Sequence, residues 1–517
     1  MLRILRIILA AIFFTGTTLL FLDVTGALHA WLGWMAKIQF LPAALALNFV
    51  VVAILIAVTL IFGRTYCSVI CPLGVMQDII SWSHGKMKKK NRFRFSYSPA
   101  KNILRYSILA VFIIALLAGA NSFAALLAPY SSYGRIASNL LAPVYGWGNN
   151  LLAWIAERAG SYAFYSTDVW IKSIPTFIIA AVTFIAIFIL AWKGGRTYCN
   201  TICPVGTVLG IFSRFSILAP TIDTSKCRNC GLCGRQCKAS CIDMKNHEID
   251  GSRCVACMDC VNACNEGAIK YTFRYGSRKS APKGKTDTFQ NTSDSTKIDG
   301  KASKGSPADQ GRRAFIVSSA IAASTAALKA QEMKTDGGLS EVRRAQLPSR
   351  KTPLVPAGAI SLKHFKDHCT ACQLCVSSCP NNVLRPSASL MTLMQPEMSY
   401  ERGYCRPECT ACSEVCPAGA IIDIDREEKS AIQIGHASVD LNHCVVNTDN
   451  VSCGNCARHC PAGAIRMVRR NPDDKNSLRI PTVNEERCIG CGACENLCPA
   501  RPLTAIHVEG HEVHRTI

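Results

Sequence analysis

Twenty-nine cysteines among 517 residues constrain this chain more than any other feature. Most of them fall into six groups of four with spacings close to Cys-x2-Cys-x2-Cys-x3-Cys, and four more form two Cys-x3-Cys-Pro segments. Thiols two or three residues apart are too close in sequence for sensible disulfide loops, but they suit the corners of a cubane cluster. The spacing therefore favours iron–sulfur clusters over the disulfide framework that so many cysteines also suggest.

The first two groups predict a two-cluster ferredoxin. In such modules the fourth cysteine of each group ligates the other cluster, so we expect Cys264 to complete the first cluster and Cys237 the second. Lys238 and Asn265 stand where a proline usually follows, and Cys241 is left over as a buried thiol. A zinc site with four cysteine ligands is the alternative, although such zinc sites use two pairs of cysteines. The predicted ligands are Cys227, Cys230, Cys233, Cys237, Cys254, Cys257, Cys260 and Cys264.

The four later groups all end in Cys-Pro and predict four further [4Fe–4S] clusters in two pairs. The sequence leaves open which groups pair. Little else fills this region, so we expect the clusters to organise its core. His368, His443 and His459 adjoin ligand cysteines and are candidates for hydrogen bonds that tune potentials, exposed histidines being the alternative. The predicted ligands are Cys369, Cys372, Cys375, Cys379, Cys405, Cys409, Cys412, Cys416, Cys444, Cys453, Cys456, Cys460, Cys488, Cys491, Cys494 and Cys498.

Four apolar stretches before residue 193 predict transmembrane helices. They run from about Ile4 to Leu22, Ile38 to Phe62, Ile103 to at least Ala118, and Ile174 to Trp192. Lysine and arginine concentrate before the first stretch and after the second and fourth, which predicts a cytoplasmic N-terminus. The predicted fold class is a multidomain membrane protein. It combines a four-helix transmembrane module, two α+β bacterial-ferredoxin-like modules with two and then four clusters, and a fifth short membrane anchor.

An internal repeat marks the helical region. The frame Gly-Arg-Thr-Tyr-Cys-x2-Ile-Cys-Pro-x-Gly occurs at residues 63–74 and again at residues 195–206. Two cysteines four residues apart would lie on one face of one helical turn. Cys67, Cys71, Cys199 and Cys203 are therefore candidates for one four-thiolate metal centre or two redox-active pairs, the alternative being structural pairs in a packing repeat.

Other cofactors and partners are limited by what the sequence contains. The apolar stretches hold no histidine, and no Cys-x2-Cys-His occurs, so intramembrane bis-histidine haem and c-type haem are disfavoured. The formal charge of +22 fits basic loops at a membrane, with no nucleic-acid partner. Aromatic and basic side chains between the third and fourth stretches suggest a quinone pocket, or else an interfacial belt. They are Tyr130, Tyr133, Arg135, Tyr145 and Trp147.

A polar linker and an Arg-Arg segment separate the two ferredoxin regions. Arg312 and Arg313 precede a mildly apolar run to about Ala330, which resembles an internal twin-arginine export signal. Because clusters are assembled in the cytoplasm, a folded-protein exporter suits a cluster domain on the far side. The predicted boundaries are 1–215 for the membrane module, 216–275 for the first ferredoxin, 276–310 for the linker, 311–332 for the signal or anchor, and 333–517 for the second ferredoxin.

These motifs carry a family resemblance. The first 275 residues resemble the NapH and MauN membrane ferredoxins, with similar membrane parts in the CcoG and NosR families, and residues 311–517 resemble the exported NapG and MauM ferredoxins. The resemblance implies a NapH-type quinol dehydrogenase component fused to a NapG-type ferredoxin. It also implies functional roles for the four Cys-x3-Cys-Pro cysteines. The fusion, the missing prolines and Cys241 depart from the pattern, and cleavage near Ala330 stays open.

The sequence thus predicts an electron-transfer protein of the bacterial inner membrane. Electrons would pass from menaquinol, or a cytoplasmic donor, to a periplasmic reductase or cytochrome, with the first ferredoxin cytoplasmic and the second periplasmic. No nucleotide-binding glycine-rich loop and no flavin- or molybdenum-type segment is found. Two alternatives remain, a copper reductase or maturation factor acting through an additional metal at the Cys-x3-Cys-Pro motifs, and an assembly scaffold.

Overall fold

The computed structural model describes residues 1–23, 26–87, 95–274, 346 and 348–517, with the backbone of residues 335–336 and 340–341. The chain divides into two compact units, one of Met1–Tyr275 with Ala345–Ile517 and one of Gly276–Arg344. In the smaller unit, strands Thr335–Asp336 and Ser340–Glu341 pair antiparallel. The predicted linker and the predicted twin-arginine segment with its short anchor lie outside the described residues.

Helices make up the N-terminal part of the larger unit. Two of them, Leu2–Leu22 and Ile174–Gly194, are long and apolar enough to cross a membrane, and they match the first and fourth predicted spans. The third predicted span is the 16-residue helix Asn102–Leu117. The remaining α-helices are Ala27–Leu32, Trp34–Lys37, Phe40–Leu45, Phe49–Phe62, Thr65–Val69, Pro72–Met87, Asn121–Leu127, Pro129–Ile136, Ala142–Arg158, Thr197–Thr201 and Pro204–Ser213, with a π-helical turn at Ala137–Leu141.

The second predicted span, residues 38–62, is not one helix. Helix Phe40–Leu45 ends before Leu47, whose φ of 53° lies in the left-handed region. Asn48 then caps a new helix, because its side chain accepts a hydrogen bond of 3.2 Å from the backbone N–H of Val51. Apolar composition alone therefore predicted a longer helix than the local capping chemistry allows.

The two repeats fold alike, but not as the single helical turn that the spacing predicted. In the first, the backbone N–H groups of Ile70 and Cys71 both donate to the carbonyl of Tyr66, at 3.0 and 2.9 Å. The equivalent pair of bonds in the second repeat measures 3.0 Å each. Proline begins the next helix and disfavours helical backbone in the residue before it. The second cysteine of each pair therefore lies between two helices, as the extended backbone of Cys203 shows.

The ferredoxin modules are built from short helices and two-stranded antiparallel sheets, in keeping with the predicted α+β class. In the first module, strand Leu218–Ile222 pairs with Ile269–Phe273, and Ile242–Asp243 pairs with Glu248–Ile249. The helices of the first module are Leu232–Gln236 and Asp259–Ala263.

The second module contains three such sheets. They pair Leu384–Pro386 with Pro396–Met398, Ile432–Val439 with Ile506–Thr516, and Ile465–Arg469 with Arg479–Val483. The α-helices are Leu362–His368, Leu374–Ser378, Ala411–Glu414, Arg426–Ala431, Val445–Thr448, Asn455–Arg458 and Ala493–Asn496, and the 3-10 turns are Leu390–Thr392, Leu441–His443 and Glu485–Arg487. A continuous apolar core joins the helical region to the first half of this module.

Candidate iron–sulfur sites

One cavity in the first ferredoxin module is lined by four predicted ligand cysteines. Cys254, Cys257 and Cys260 of the second group meet Cys237 of the first group around a space of about 380 Å³. The structure therefore brings the fourth cysteine of one group to the other group, as the crossover pattern predicts. The other four cysteines of the module are Cys227, Cys230, Cys233 and Cys264, of which Cys230 is exposed.

Four cavities in the second module repeat this arrangement. In each of them, three cysteines come from one group and one from its partner group. The first and second groups exchange their fourth cysteines, and so do the third and fourth groups, which decides a pairing that the sequence left open. The sets are Cys369, Cys372, Cys375 and Cys416 (about 330 Å³); Cys379, Cys405, Cys409 and Cys412 (about 410 Å³); Cys444, Cys453, Cys456 and Cys498 (about 390 Å³); and Cys460, Cys488, Cys491 and Cys494 (about 290 Å³).

Four thiols around a mainly apolar space fit a cubane cluster, whose irons are held by soft thiolates. Within the described residues, no three Cys, His, Asp or Glu side chains lie close enough to share one bare metal ion. The set of four cysteines around each space suits a multi-atom cluster.

Cys241 is buried beside one of these sites, as expected. Its Sγ lies 3.6 Å from the Sγ of Cys237. Hydrogen bonds from the Cys241 thiol and from nearby backbone N–H groups lower the pKa of Cys237 to about 7. Cys241 thus favours the thiolate form of a predicted ligand, and it lines the same space although it lies outside the four-cysteine motifs.

The three candidate histidines do not face cysteine sulfurs with Nδ1. His368 and His459 direct Nδ1 to backbone carbonyls, of His364 at 3.0 Å and of Asn455 at 2.9 Å. His443 pairs with the carboxylate of Asp440 at 2.7 Å. The structure therefore gives these rings local bonding partners and no contact that supports the predicted tuning of cluster potentials.

Lys238 explains why proline is missing after Cys237. Its Nζ lies 2.9 Å from Oδ2 of Asp259 in the same module and 3.7 Å from Oδ1 of Asp78 in the helical region. Burial disfavours the charged ammonium, but the two carboxylates outweigh this effect and raise the pKa of Lys238. The backbone carbonyl of Lys238 also accepts from the N–H of Arg196 at 2.9 Å. The position that is usually proline is therefore part of an interface.

The four cysteines of the two repeats lie together in the helical core, each 3 or 4 % exposed. Two fully buried arginines interlock the repeats. Arg64 of the first repeat donates to the backbone carbonyl of Cys199 at 3.1 Å, and Arg196 of the second donates to that of Cys67 at 2.6 Å. This exchange relates the repeats by an approximate two-fold symmetry and holds the cysteine-bearing turns against each other.

Each repeat also contains a glycine where its backbone passes the preceding turn. A Cβ at Gly74 would lie 2.2 Å from the carbonyl oxygen of Cys67, and one at Gly206 would lie 2.3 Å from that of Cys199. Both positions also face the arginine of the opposite repeat. The last residue of the twelve-residue frame is therefore glycine because no side chain fits there.

The five residues proposed as a quinone pocket lie in two different environments. Tyr130, Tyr133 and Arg135 are buried in the helical core, at 1 % exposure or less. Tyr145 and Trp147, on helix Ala142–Arg158, are about half exposed. The first three lie on helix Pro129–Ile136, which is buried, and the last two on a helix that is largely exposed, so the quinone pocket stays a prediction.

The second ferredoxin module packs on the end of the helical region opposite to the first module. Nδ2 of Asn139 donates to Oε1 of Gln373 at 2.8 Å, and Nζ of Lys172 donates to the carbonyl of Val376 at 2.7 Å. The Trp170 ring lies between two guanidinium groups of the second module, at 4.5 and 4.3 Å from its centroid. These contacts lie beside helix Leu374–Ser378, which carries the predicted ligand Cys375.

Four residues that shape these sites were missed from the sequence as site residues. They are Arg64, Arg196, Asp78 and Lys238. Signals for them were present, because both arginines belong to the repeated frame and Asp78 is the only acid of its helix. A charge in an otherwise apolar segment is by default a functional or interface position.

Comparison with known proteins agrees with this chemistry. Residues 45–90 and 176–220 match the profile of the 4Fe-4S binding domain family, and residues 368–445 and 451–501 match that of the 4Fe-4S dicluster domain family. The first dicluster match covers the first pair of groups that exchange cysteines, and the second match covers the second pair except Cys444.

Three relatives define the similarity further. The ferredoxin-type protein NapG of Escherichia coli is 30% identical over 32% of this chain and 77% of its own length. The methylamine utilization ferredoxin-type protein MauM of Methylobacillus flagellatus is 30% identical over 31% and 69%. An uncharacterized protein of Methanocaldococcus jannaschii is 26% identical over 52% of this chain and 87% of its own. No solved structure matches the chain.

Proposed function

Because this chain belongs to the ferredoxin-type family of iron–sulfur electron-transfer proteins that includes NapG and MauM, we propose that it conducts electrons across a membrane. The donor is menaquinol or a cytoplasmic reductant, and the acceptor is a periplasmic reductase or cytochrome. One observation carries this proposal above the others. Three helices of the helical region have contacts with the first ferredoxin module at or just beyond one end and with the second module at or just beyond the other.

The helix Leu2–Leu22 is the first of the three. Near its start, Nε of Arg3 lies 2.8 Å from Oδ1 of Asp259 in the first module. Beyond its end, Asp23 accepts from Nδ1 of His29 at 3.1 Å, and Nε2 of that ring lies 3.0 Å from Oγ of Ser378 in the second module. The helix therefore separates the two modules by its own length.

The other two helices repeat this arrangement. On Asn102–Leu117, Nη1 of Arg105 bonds to Ser252 of the first module at 3.3 Å, and Asn121 beyond the far end bonds to the carbonyl of Lys366. Ile174–Gly194 runs the opposite way, with Lys172 on the second module before its start and Arg196 on the first module after its end. Two modules held at opposite ends of apolar helices is the arrangement that a transmembrane conductor requires.

The orientation follows from charge. The basic residues near the first module include Arg3, Arg6 and Lys193, whereas fewer cations lie in the loops near the second module. By the positive-inside rule, the first module is cytoplasmic and the second periplasmic in the bacterial inner membrane. The twelve-residue repeats then lie at the cytoplasmic ends of their helices and fold back into the helical core.

In this proposal the chain holds six [4Fe–4S] clusters, two in the first module and four in the second. When bound, such clusters accept and donate single electrons without large rearrangement. The cysteines hold them, the apolar walls of the five cavities shield five of them from water, and the contacts between modules fix their separations. The four-span helical module and the NapH-type character of the first half belong to the same proposal.

The test is reduction of the clusters by quinol. The full chain, purified with its clusters and reconstituted in liposomes, is mixed anaerobically with a water-soluble menaquinol analogue, and visible absorbance of the clusters is followed. We expect bleaching that reverses on addition of oxidised quinone. Clusters that dithionite reduces but the menaquinol analogue does not would contradict quinol as the donor.

A further inference from the structure

We propose that Cys67, Cys71, Cys199 and Cys203 together bind a seventh iron–sulfur cluster, inside the helical core, through which electrons pass between the two ferredoxin modules. The site is defined by its residues and stands without the proposed function, but its role as a relay rests on that function. The 4Fe-4S family profile covers both repeats without saying which residues bind. The structure supplies that assignment.

The placement of the four thiols supports one shared cluster. All four are free and buried, and each repeat supplies two of them through the same local fold. One guanidinium nitrogen of Arg64 lies 3.7 Å from Sγ of Cys67 and 3.1 Å from the backbone carbonyl of Cys199, so the two pairs lie side by side. A group of four buried thiols from two symmetric half-sites is what a single cluster with four thiolate ligands needs.

The charges next to the thiols also support an anionic cluster. Arg64 is fully buried, and its guanidinium bonds to neutral groups, Oδ1 of Asn200 at 2.9 Å and the carbonyl of Ser252 at 3.1 Å among them. Within the described residues no carboxylate lies in ion-pair range of Arg64, and Asp78 is already shared by Arg196, Arg6 and Lys238. A buried cation without a counter-charge is strongly unfavourable. Thiolates around an anionic cluster supply the missing negative charge.

Hydrogen-bond donors also face the sulfurs of these cysteines. Nε2 of Gln77 and the backbone N–H of Gly206 lie 3.3 Å from Cys199 and Cys203. Guanidinium groups lie 3.7 Å from Cys67 and 3.9 Å from Cys199. Donors aimed at sulfur stabilise the charged thiolate form and tune the potential of a bound cluster. Two structural thiol pairs would have no need of them.

The position of the four thiols relative to the two ferredoxin modules fits a relay. On one side, Arg64 interacts electrostatically with Cys254, a predicted ligand in the first module. On the other side, Tyr130 interacts electrostatically both with Tyr66 of the first repeat and with the predicted ligand Cys372 of the second module. The four-thiol site therefore lies between a cluster site of each module. Each transfer moves one electron, so one centre is oxidised as the next is reduced, and no bond forms or breaks.

The decisive measurement is iron and acid-labile sulfide per chain on the purified, anaerobically prepared protein. Seven [4Fe–4S] clusters predict about 28 iron atoms per chain, whereas six predict about 24. The double variant Cys71→Ser/Cys203→Ser is expected to lose about four irons and one paramagnetic signal of the reduced protein. Ser68→Ala, a buried neighbour in the same turn, is the matched control and should lose neither.

The outcomes separate the site from the function. Full loading at about 24 irons, or unchanged iron in the double variant, overturns the seventh cluster. Copper that is bound by the wild type and lost in the double variant overturns it as well, in favour of a copper site. If the variant loses the cluster yet still carries electrons across liposomes at the wild-type rate, the relay role fails while the proposed function stands.

If the variant misfolds, the iron content of the wild type still decides the number of clusters. If the wild type binds the seventh cluster but carries no electrons across liposomes, the proposed function fails and the site stands. Each result therefore tests either the seventh cluster or the proposed function.

Discussion

Replacing Asp78 with asparagine should weaken the junction between the helical region and the first ferredoxin module. Asp78 is 7 % exposed and accepts two hydrogen bonds from the guanidinium of Arg196, each 2.9 Å long. Arg6 bonds to the same carboxylate, and Lys238 lies 3.7 Å from it. One carboxylate therefore compensates three cations, and asparagine keeps its shape while removing its charge.

The expected cost follows from the burial of Arg196, which is 0 % exposed. Removing one partner of a buried ion pair leaves the other charge uncompensated and destabilises a protein by about 3–5 kcal/mol. We expect Asp78→Asn to lose at least about 3 kcal/mol of unfolding free energy, a change of about 150-fold in the unfolding equilibrium constant. The first module should also lose its clusters earlier during unfolding than the second.

The assay is urea unfolding of the full chain in detergent, followed by cluster absorbance and by circular dichroism. The free energy comes from linear extrapolation, with the slope compared between variants. Glu157→Gln, an exposed acid on helix Ala142–Arg158, is the control and should lie within about 0.5 kcal/mol of wild type. An Asp78→Asn protein as stable as this control would refute the assignment of Asp78 as the shared counter-charge.

Three further predictions concern pairing, packing and pH. Cys416→Ser should abolish the same paramagnetic signal as Cys369→Ser, because both thiols line one cavity; loss of two different signals would contradict the exchange between groups. Gly74→Ala should lower the free energy of unfolding by about 1–3 kcal/mol, because its Cβ would meet a carbonyl oxygen. A Cβ at Gly85, on the same helix, would meet nothing within 4 Å, so Gly85→Ala should raise the free energy of unfolding by about 0.5–1 kcal/mol. The midpoints of urea unfolding will show both changes. Burial and a nearby histidine lower the pKa of His514 from 6.5 to about 4. Between these two pH values, the unfolded state binds a proton at His514 that the folded state does not bind. Stability should then fall by about 3 kcal/mol as pH drops from about 6.5 to 4, and His514→Gln should flatten that dependence; an unchanged slope would contradict it.

The grouping of the cysteines was predicted from the sequence, because spacings of two and three residues suit the corners of a cubane cluster. The crossover at Cys237 was predicted for the same reason, and the structure brings that residue to the other group. Pairing among the four later groups was not readable, since each of them alone offers the same three-plus-one pattern. It depends on which groups are adjacent in space, and only the fold decides that.

Apolar patterning predicted helices but not their breaks. The predicted second span is interrupted because Asn48 caps a new helix, through a local hydrogen bond that average hydropathy does not register. The Cys-x3-Cys pairs looked like single helical turns, although the proline that follows each pair disfavours this conformation. The proposed quinone residues separated because burial of Tyr130 and exposure of Tyr145 depend on packing between helices.

Residues at the interface between the helical region and the first ferredoxin module were the hardest to predict from the sequence. Lys238 appeared only as a missing proline, and its meaning became visible when Asp78 and Asp259 were found beside it. The two arginines of the repeat lie next to the cysteines in sequence, yet their contacts reach across to the opposite repeat. Such reciprocal contacts become apparent only when both halves of a repeat are placed together.

Electron transfer across a membrane tests the central claim most directly. Liposomes containing the full chain and loaded with ferricyanide receive impermeant dithionite from outside, and loss of ferricyanide absorbance is recorded for molecules whose first module faces outward. The account predicts oxidation of dithionite coupled to reduction of the entrapped ferricyanide, with no such reaction in liposomes lacking the protein. Full reduction of the outward clusters without any loss of ferricyanide would contradict it.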